Sequence, residues 1–222
     1  MKDEDTNNVK LRESSDIQCS NKSTNRKESN LLKNINGRYV SEYINKSREK
    51  KLLRVNKAGV FMKCGSMYTG EWIDDKRDGY GIQVWQDKSR YEGTWLDGKA
   101  HGYGKLYFAN GDTYIGEWSH DKQNGKGVYK SLEGSTYEGD WSDDLKHGKG
   151  TESWPDNAKY IGDYYKDQKQ GDGKFYFADG SVYKGEFKNN QINGYGKHYS
   201  IDGGCYQGDW VNNQKDGKGE IY

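Results

Sequence analysis

The sequence predicts an all-β fold, an elongated antiparallel meander of consecutive β-hairpins. Three observations predict it. Tyrosine recurs every 23 residues, at Tyr68, Tyr91, Tyr114, Tyr137, Tyr160, Tyr183 and Tyr206. Around each tyrosine the chain alternates with period two, as in Tyr68, Gly70 and Trp72 on one face and Thr69 and Glu71 on the other. Turn-forming stretches separate the alternating runs. A fixed period of about 20–50 residues marks a repeat array.

Each repeat holds the same five positions. Two residues after the tyrosine stands Gly (Gly70 in the first copy, Gly208 in the last), and four residues after it an aromatic: Trp72, Trp95, Trp118, Trp141, Tyr164, Phe187 or Trp210. Two further glycines follow, Gly79 and Gly81 in the first copy and Gly217 and Gly219 in the last. The first strand of the hairpin therefore runs from the tyrosine to the aromatic. Asp74 to Asp78 reads as a turn, and a second strand starts at Gly79 and runs to about Trp85. Asn110-Gly111 and Asp179-Gly180 read as tight turns into the next repeat, because both central residues tolerate positive φ. Glycine in a strand usually marks a close approach. Here it lets a ring lie on bare backbone, and the aromatic face stands in for a core.

Composition agrees with a thin sheet. Hydrophobic residues are 31%, against about 45–50% in a usual domain by a count that includes Gly. Aromatics reach 14%, with 19 Tyr, 7 Trp, 30 Gly and a single proline, Pro155. The net charge of +1 divides unevenly. Residues 1–67 carry 15 Lys and Arg against 8 Asp and Glu, a balance of +7, and residues 68–222 carry 20 against 26, a balance of −6. An acidic array makes nucleic acid a poor partner, since affinity there rests on basic contacts. Cys19, Cys64 and Cys205 are odd in number and widely spaced, which suits neither a disulfide framework nor a zinc site. The cytoplasm is the expected compartment. The N-terminus carries no secretory pattern, no stretch approaches a membrane span, and Lys2 in place of Gly excludes myristoylation.

The chain divides into three parts. Residues 1–36 are rich in Asn, Ser and Lys and read as a disordered tail. Residues 37–67 form a basic segment. Within it Ser41 to Asn56 reads as a short helix capping the first repeat, with Tyr43, Ile44, Leu52 and Val55 as its apolar face. The alternative is an amphipathic helix meeting anionic lipid through Lys46, Arg48, Lys50, Lys51 and Arg54. Val60 to Lys63 reads as a leading strand, with Cys64-Gly65-Ser66 as the turn into Tyr68. Residues 68–222 are the array.

Tyr114-Ile-Gly-Glu-Trp118 followed by Gly125-Lys-Gly127 resembles the MORN (membrane occupation and recognition nexus) repeat, and the likeness extends over all seven copies. The resemblance implies hairpins stacked into an extended sheet, and a role joining membranes or cytoskeleton, in ciliary assemblies, or beside lipid-kinase and methyltransferase domains.

No catalytic pattern accompanies the repeats. The Gly-x-Gly pairs lack the third glycine of a dinucleotide loop, and no GxxxxGK[ST] or GxSxG occurs. His101 and His147 share a position that elsewhere holds Asp78, Asn124, Gln170, Asn193 or Asp216, which marks a polar turn residue. An active site would break the period at one place, and no break stands out. No metal site and no cofactor is expected. The carboxylates preceding the repeat aromatics read as cross-strand charge pairing on a wet face. The expected function is a non-enzymatic scaffold that takes a partner protein's helix or peptide on the aromatic face. Its anchors would be Trp85, Trp95, Phe108, Trp118, Trp141, Trp154 and Phe177. Ser131 and Ser200 replace a ring in this row, leaving either shallow dents or tolerated variation. The competing expectations are attachment to acidic phospholipid and an accessory subunit of a lipid kinase. The second strand of repeat seven offers an open edge for pairing with a second copy.

Overall fold

The computed structural model describes residues 53–222. They form one sheet of fifteen antiparallel strands whose order in space is their order in sequence. The strands are β1 (Val55–Phe61), β2 (Met67–Ile73), β3 (Lys76–Val84), β4 (Arg90–Leu96), β5 (Lys99–Tyr107), β6 (Thr113–Ser119), β7 (Lys122–Lys130) and β8 (Thr136–Ser142). They continue with β9 (Leu145–Ser153), β10 (Lys159–Tyr165), β11 (Gln168–Tyr176), β12 (Val182–Lys188), β13 (Gln191–Tyr199), β14 (Cys205–Val211) and β15 (Gln214–Ile221).

The meander of hairpins is the expected one, with two differences. The leading strand is longer than Val60 to Lys63 and starts at Val55. Val55 and Asn56, assigned to the end of a capping helix, are instead strand and face Trp72 and Glu71 of β2. Residues 41–52 of that expected helix, and the expected tail, lie outside the described residues.

The turns are also exchanged. The first turn of each repeat holds two residues, not five. In repeat three His120 and Asp121 have φ of 52° and 71°, and in repeat six Asn189 and Asn190 have 50° and 69°. Two consecutive positive φ values make the tight hairpin geometry, and Asp and Asn tolerate it better than other side chains. The connection between repeats is the wider one. At Phe108–Asp112 the Gly111 N–H donates to the Phe108 carbonyl, the Phe108 N–H donates to the Asp112 carbonyl, and Gly111 alone takes a positive φ, 94°.

The three repeat glycines have different reasons. Gly70 faces Gly81 across the hairpin, and Gly81 faces Gly93 across to the next one. The pairing continues strand by strand to Gly208 and Gly219, a row of glycines running across the sheet. Tyr68 lies over its own pair so closely that a Cβ on Gly81 would stand 2.1 Å from the Tyr68 Oη. Gly79 serves a bulge. Between Gly70↔Gly81 and Trp72↔Arg77, the single residue Glu71 faces Asp78, Gly79 and Tyr80. Gly79 turns the chain there at φ 108°, and Gly102 and Gly125 do so at 83° and 73°.

The bulge leaves backbone groups without ladder partners, and the repeat supplies them. All seven tyrosine hydroxyls donate to the carbonyl three residues on, from Tyr137 Oη to Asp140 O at 2.9 Å up to 3.2 Å at Tyr183 and Tyr206. This explains tyrosine in place of phenylalanine at that position. In repeats one, three, four and six the acid before the aromatic accepts the bulge N–H, as Glu71 Oε2 does from Tyr80 at 2.6 Å and Asp140 Oδ2 from Lys149 at 2.9 Å, and in repeat two Thr94 Oγ1 accepts it from Tyr103. Charge pairing, the expected role, is the lesser part.

Repeats are joined by rings and by turns. Tyr68 touches Trp72 of its own strand and Trp95 of the next repeat, at centroid separations of 5.2 and 5.4 Å and near-perpendicular planes. The same edge-to-face contacts continue without a break through Tyr114, Tyr137 and Tyr160 to Tyr206 and Trp210. Each such pair contributes about 0.5–1.5 kcal/mol beyond its buried area. The Trp95, Trp118 and Trp141 indoles also donate to Gly81, Gly104 and Gly127 of the preceding repeat at 3.2–3.3 Å. On the turn side, Asp121 donates its N–H to the Ala100 carbonyl (2.9 Å) and accepts the Ala100 N–H on Oδ1 (2.7 Å). Asp144, Asp167, Asn190 and Asn213 repeat this clasp one hairpin further each time. Gly98 holds the position in repeat two and makes only the N–H half, to the Arg77 carbonyl at 2.8 Å.

Two outcomes follow for stability. Gly104→Ala drives a methyl into the Tyr91 ring (2.3 Å to Oη, 2.5 Å to Cζ) and is expected to cost about 3 kcal/mol. Gly98→Asn must accept the positive φ of 85°, as Asn190 and Asn213 do at 69° and 68° in the same position, and it gains the missing acceptor in open space, so denaturant unfolding should find it close to neutral. Burial also pushes the Tyr68 and Tyr183 phenols up to about 12 and those of Tyr91, Tyr114, Tyr137 and Tyr160 further in the same direction. The neutral phenols bind more protons folded than unfolded above pH ~10. Stability is therefore unaffected by them below ~10 and falls as pH rises toward 12. Phenolate absorbance should rise in two steps, the exposed tyrosines such as Tyr103 and Tyr195 first and the buried ones together with loss of the sheet.

Candidate functional site

The seven expected anchors fall into two groups. Trp95, Trp118 and Trp141 are 4–7% exposed and belong to the ring spine. Their burial leaves almost no surface for a partner, so on this face the candidate surface narrows. Trp85, Phe108, Trp154 and Phe177 are half-buried and pack on the spine's edge. Trp85 and Phe108 line a groove of about 780 Å³ with Leu106 and Arg77. Trp154, Phe175 and Phe177 follow one another at 5.7 and 4.7 Å. Beside Ser131, one of the two positions that lack a ring, stands the buried Asp112. It accepts from the Leu132 N–H (2.9 Å), the Asn110 amide (2.7 Å) and the Tyr129 hydroxyl.

Of the lysines and arginines assigned to lipid, Lys46, Arg48, Lys50 and Lys51 lie outside the described residues. Arg54 is committed elsewhere. Its Nε and Nη2 donate to Asp78 Oδ1 at 3.0 and 2.8 Å, and Asp78 is 1% exposed.

One departure from the period on the ring face brings charges together. In repeat five Tyr164 stands where tryptophan usually does, and its hydroxyl donates to Glu152 Oε2 at 2.9 Å. Lys169 reaches the same oxygen at 2.9 Å and Lys146 reaches Oε1. Both ammonium groups lie over rings, Lys146 at 4.9 Å from Tyr137 and Lys169 at 4.9 Å from Trp154. Burial raises the Glu152 carboxyl, but hydrogen bonds and charge from the two lysines outweigh it, and the group sits below its usual range. Every charge in the cluster has a partner, which marks it as a structural joint. Sequence reading overlooked it because Lys146, Glu152 and Lys169 are each ordinary at a polar site. Only the register places them together.

The larger concavity lies on the opposite face. A trough of about 1150 Å³ crosses the strands from Tyr103 on β5 to Tyr199 on β13. Its floor is the glycine row, Gly127 to Gly196. The residue type that admits the tyrosine on one side leaves bare backbone on the other. One wall carries Ile115, Val128, Thr151 and Ile161, which face one another in register through Glu138. The other wall is charged, with Lys126 paired to Asp140 and Lys149 to Asp163 across neighbouring hairpins. Sequence reading placed the binding face with the rings. The signal for the trough was present in the glycine positions, but only pairing shows that they line up.

The repeat pattern decides the family. Seven consecutive MORN repeats match residues 68–90, 91–113, 114–136, 137–159, 160–182, 183–205 and 206–222. The chain belongs to the MORN repeat family. β1 precedes the matched repeats and extends their sheet by one strand. No curated protein matches the chain. Among solved structures, the wild-type TCP10 domain of Danio rerio CPAP in complex with a peptide of Danio rerio STIL is similar at 17% identity and a TM-score of 0.40. The match covers 69% of this chain and 63%, less than two thirds, of that one. The SAS-4 (dCPAP) TCP domain of Drosophila melanogaster, in complex with a proline-rich motif, is similar at 12% identity and a TM-score of 0.40, covering 75% of this chain and 88% of that one.

The ionic joint gives a testable outcome. Glu152→Leu copies Leu106, the residue at this position in repeat two, but strands two lysines against rings. A broken buried pair costs about 3–5 kcal/mol, and the lysines keep 13–21% exposure, so about 2 kcal/mol is expected here. Adding Lys146→Gln and Lys169→Ile, as at Gln123 and Ile192, should restore most of it in thermal unfolding. In the parent chain the Glu152 contribution is present above the usual carboxylate range and is lost as pH falls through its lowered value.

Proposed function

We propose that this MORN array is a non-enzymatic scaffold that binds a partner protein, and that the partner lies along the glycine-floored trough. The trough itself carries the proposal: a recess that crosses nine strands, with an aliphatic wall, a charged wall and exposed Tyr103 and Tyr195 at 62% and 50%. Exposed aromatics beside an apolar strip are favoured anchors. The half-buried ring row at Trp85 and Phe108 gives a second reading, the same function on the other face, favoured by its own groove. Membrane attachment would instead rest on Lys46, Arg48, Lys50 and Lys51. A cytoskeletal, ciliary or membrane-linked setting, and service to a lipid kinase, rest on the family alone.

Thr151→Arg together with Ile161→Arg fills the trough without touching the spine. Affinity capture from the native cell should lose its specific partners with this variant and keep them with Trp85→Ala, while circular dichroism is unchanged. The reverse pattern moves the site to the ring face. Retention of partners by both variants rejects both faces, and absence of any specific partner of the parent chain, with flotation on phosphatidylserine vesicles, rejects the scaffold reading in favour of lipid.

A further inference from the structure

The aliphatic wall of the trough does not end at Ile161. In register, Ile161 faces Lys174, Lys174 faces Lys184, and Lys184 faces Lys197. Three lysines therefore stand side by side on β11, β12 and β13, all lining the trough. Like charges directly opposite each other destabilise a sheet. Elsewhere along this wall charges sit beside opposite or neutral residues, as Glu92 does beside Lys105 and Ile82. Among the described residues Lys184 and Lys197 enter no ion pair, and Lys174 rests on Tyr176 at 4.5 Å. Half-exposed Tyr195 and Tyr199 lie beside them.

We infer that this lysine row receives a run of carboxylates on a partner helix lying along the trough, with the helix's aliphatic stripe continuing onto Ile161, Thr151 and Val128. The inference rests on the trough being the binding face. Spacing favours a helix. Opposed residues on neighbouring strands are about 4.5–5.5 Å apart, and helix residues three or four apart are about 5–6 Å apart. An extended peptide repeats a face every ~6.8 Å and falls out of step. Charge favours protein over membrane. Residues 68–222 carry a balance of −6, and Asp172 and Glu186 stand beside the row, whereas anionic lipid is met by larger unbroken basic clusters.

The test uses the full chain and a displayed library of helix-forming peptides. Enriched peptides are expected to carry Asp or Glu at helical spacing next to an aliphatic stripe. Their affinity should fall at least tenfold with Lys184→Glu plus Lys197→Glu and weaken with added salt. Replacing the peptide acids with lysine should restore binding to that variant. The melting temperature of Lys184→Glu alone, which sets one acid between Lys174 and Lys197, should stay equal or rise, because both repulsions are removed; a merely structural role would lower it. Peptides blocked by Thr151→Arg but indifferent to the lysine changes overturn this inference and leave the trough reading standing. Peptides indifferent to Thr151→Arg, or an empty selection, overturn both. Binding of phosphatidylserine and phosphoinositide vesicles through these lysines, with no acidic peptide enriched, assigns the row to lipid and also overturns it.

Discussion

Everything in this sheet depends on one contact, a tyrosine ring laid flat over a pair of glycines. A single-layer sheet has no second layer to bury its side chains, and isolated hairpins are marginal in water. The ring covers its own strands' backbone, and the glycines give it the depth to do so. The six tyrosines from Tyr68 to Tyr183 are at most 1% exposed in a protein one strand thick. From that position each ring reaches the aromatic of its own strand and that of the next hairpin. Its hydroxyl caps the carbonyl left over by the bulge. Core, inter-repeat adhesion and backbone satisfaction thus meet in one side chain. This is how a chain with so few aliphatic residues forms a continuous structure.

Much of the fold was legible because the period exposes it. The repeat, the hairpin, the ring-on-glycine packing and the family follow from five positions. The turns were misread because Asn110-Gly111 has the composition of a tight turn but sits in the wider loop. The residues that do adopt paired positive φ, such as His120-Asp121 and Asn189-Asn190, carry no glycine outside repeat two, where the pair is Asp97-Gly98. Their second member is fixed by the clasp to the preceding repeat, a contact between residues 21 apart that local patterns do not encode. The site was less legible. Trp85, Phe108, Trp154 and Phe177 keep accessible surface, whereas Trp95, Trp118 and Trp141 are consumed by the spine. Sequence alone does not separate a ring that packs from a ring that waits.

The two faces are coupled through the same residues. Glycine is required beneath the tyrosine, and its bare backbone becomes the floor of the trough on the other side. Side chains flanking that row meet no core requirement and are free to differ between repeats. They do so: Ile115, Glu138, Ile161 and Lys184 occupy equivalent positions. The ring face repeats because stability demands it, and the trough varies because stability does not. Sequence difference between repeats is therefore where recognition can be written.

The clasps and the ring spine also fix the step of the array. Each repeat adds two strands, an advance of about 9.6 Å. Seven residues of an α-helix rise about 10.5 Å. The sheet and a helix laid along it are thus nearly commensurate, one heptad to one repeat. An array built in this way acts as a ruler. A partner shifted by seven residues meets the next repeat in almost the same phase, and a partner shifted by one or two meets none.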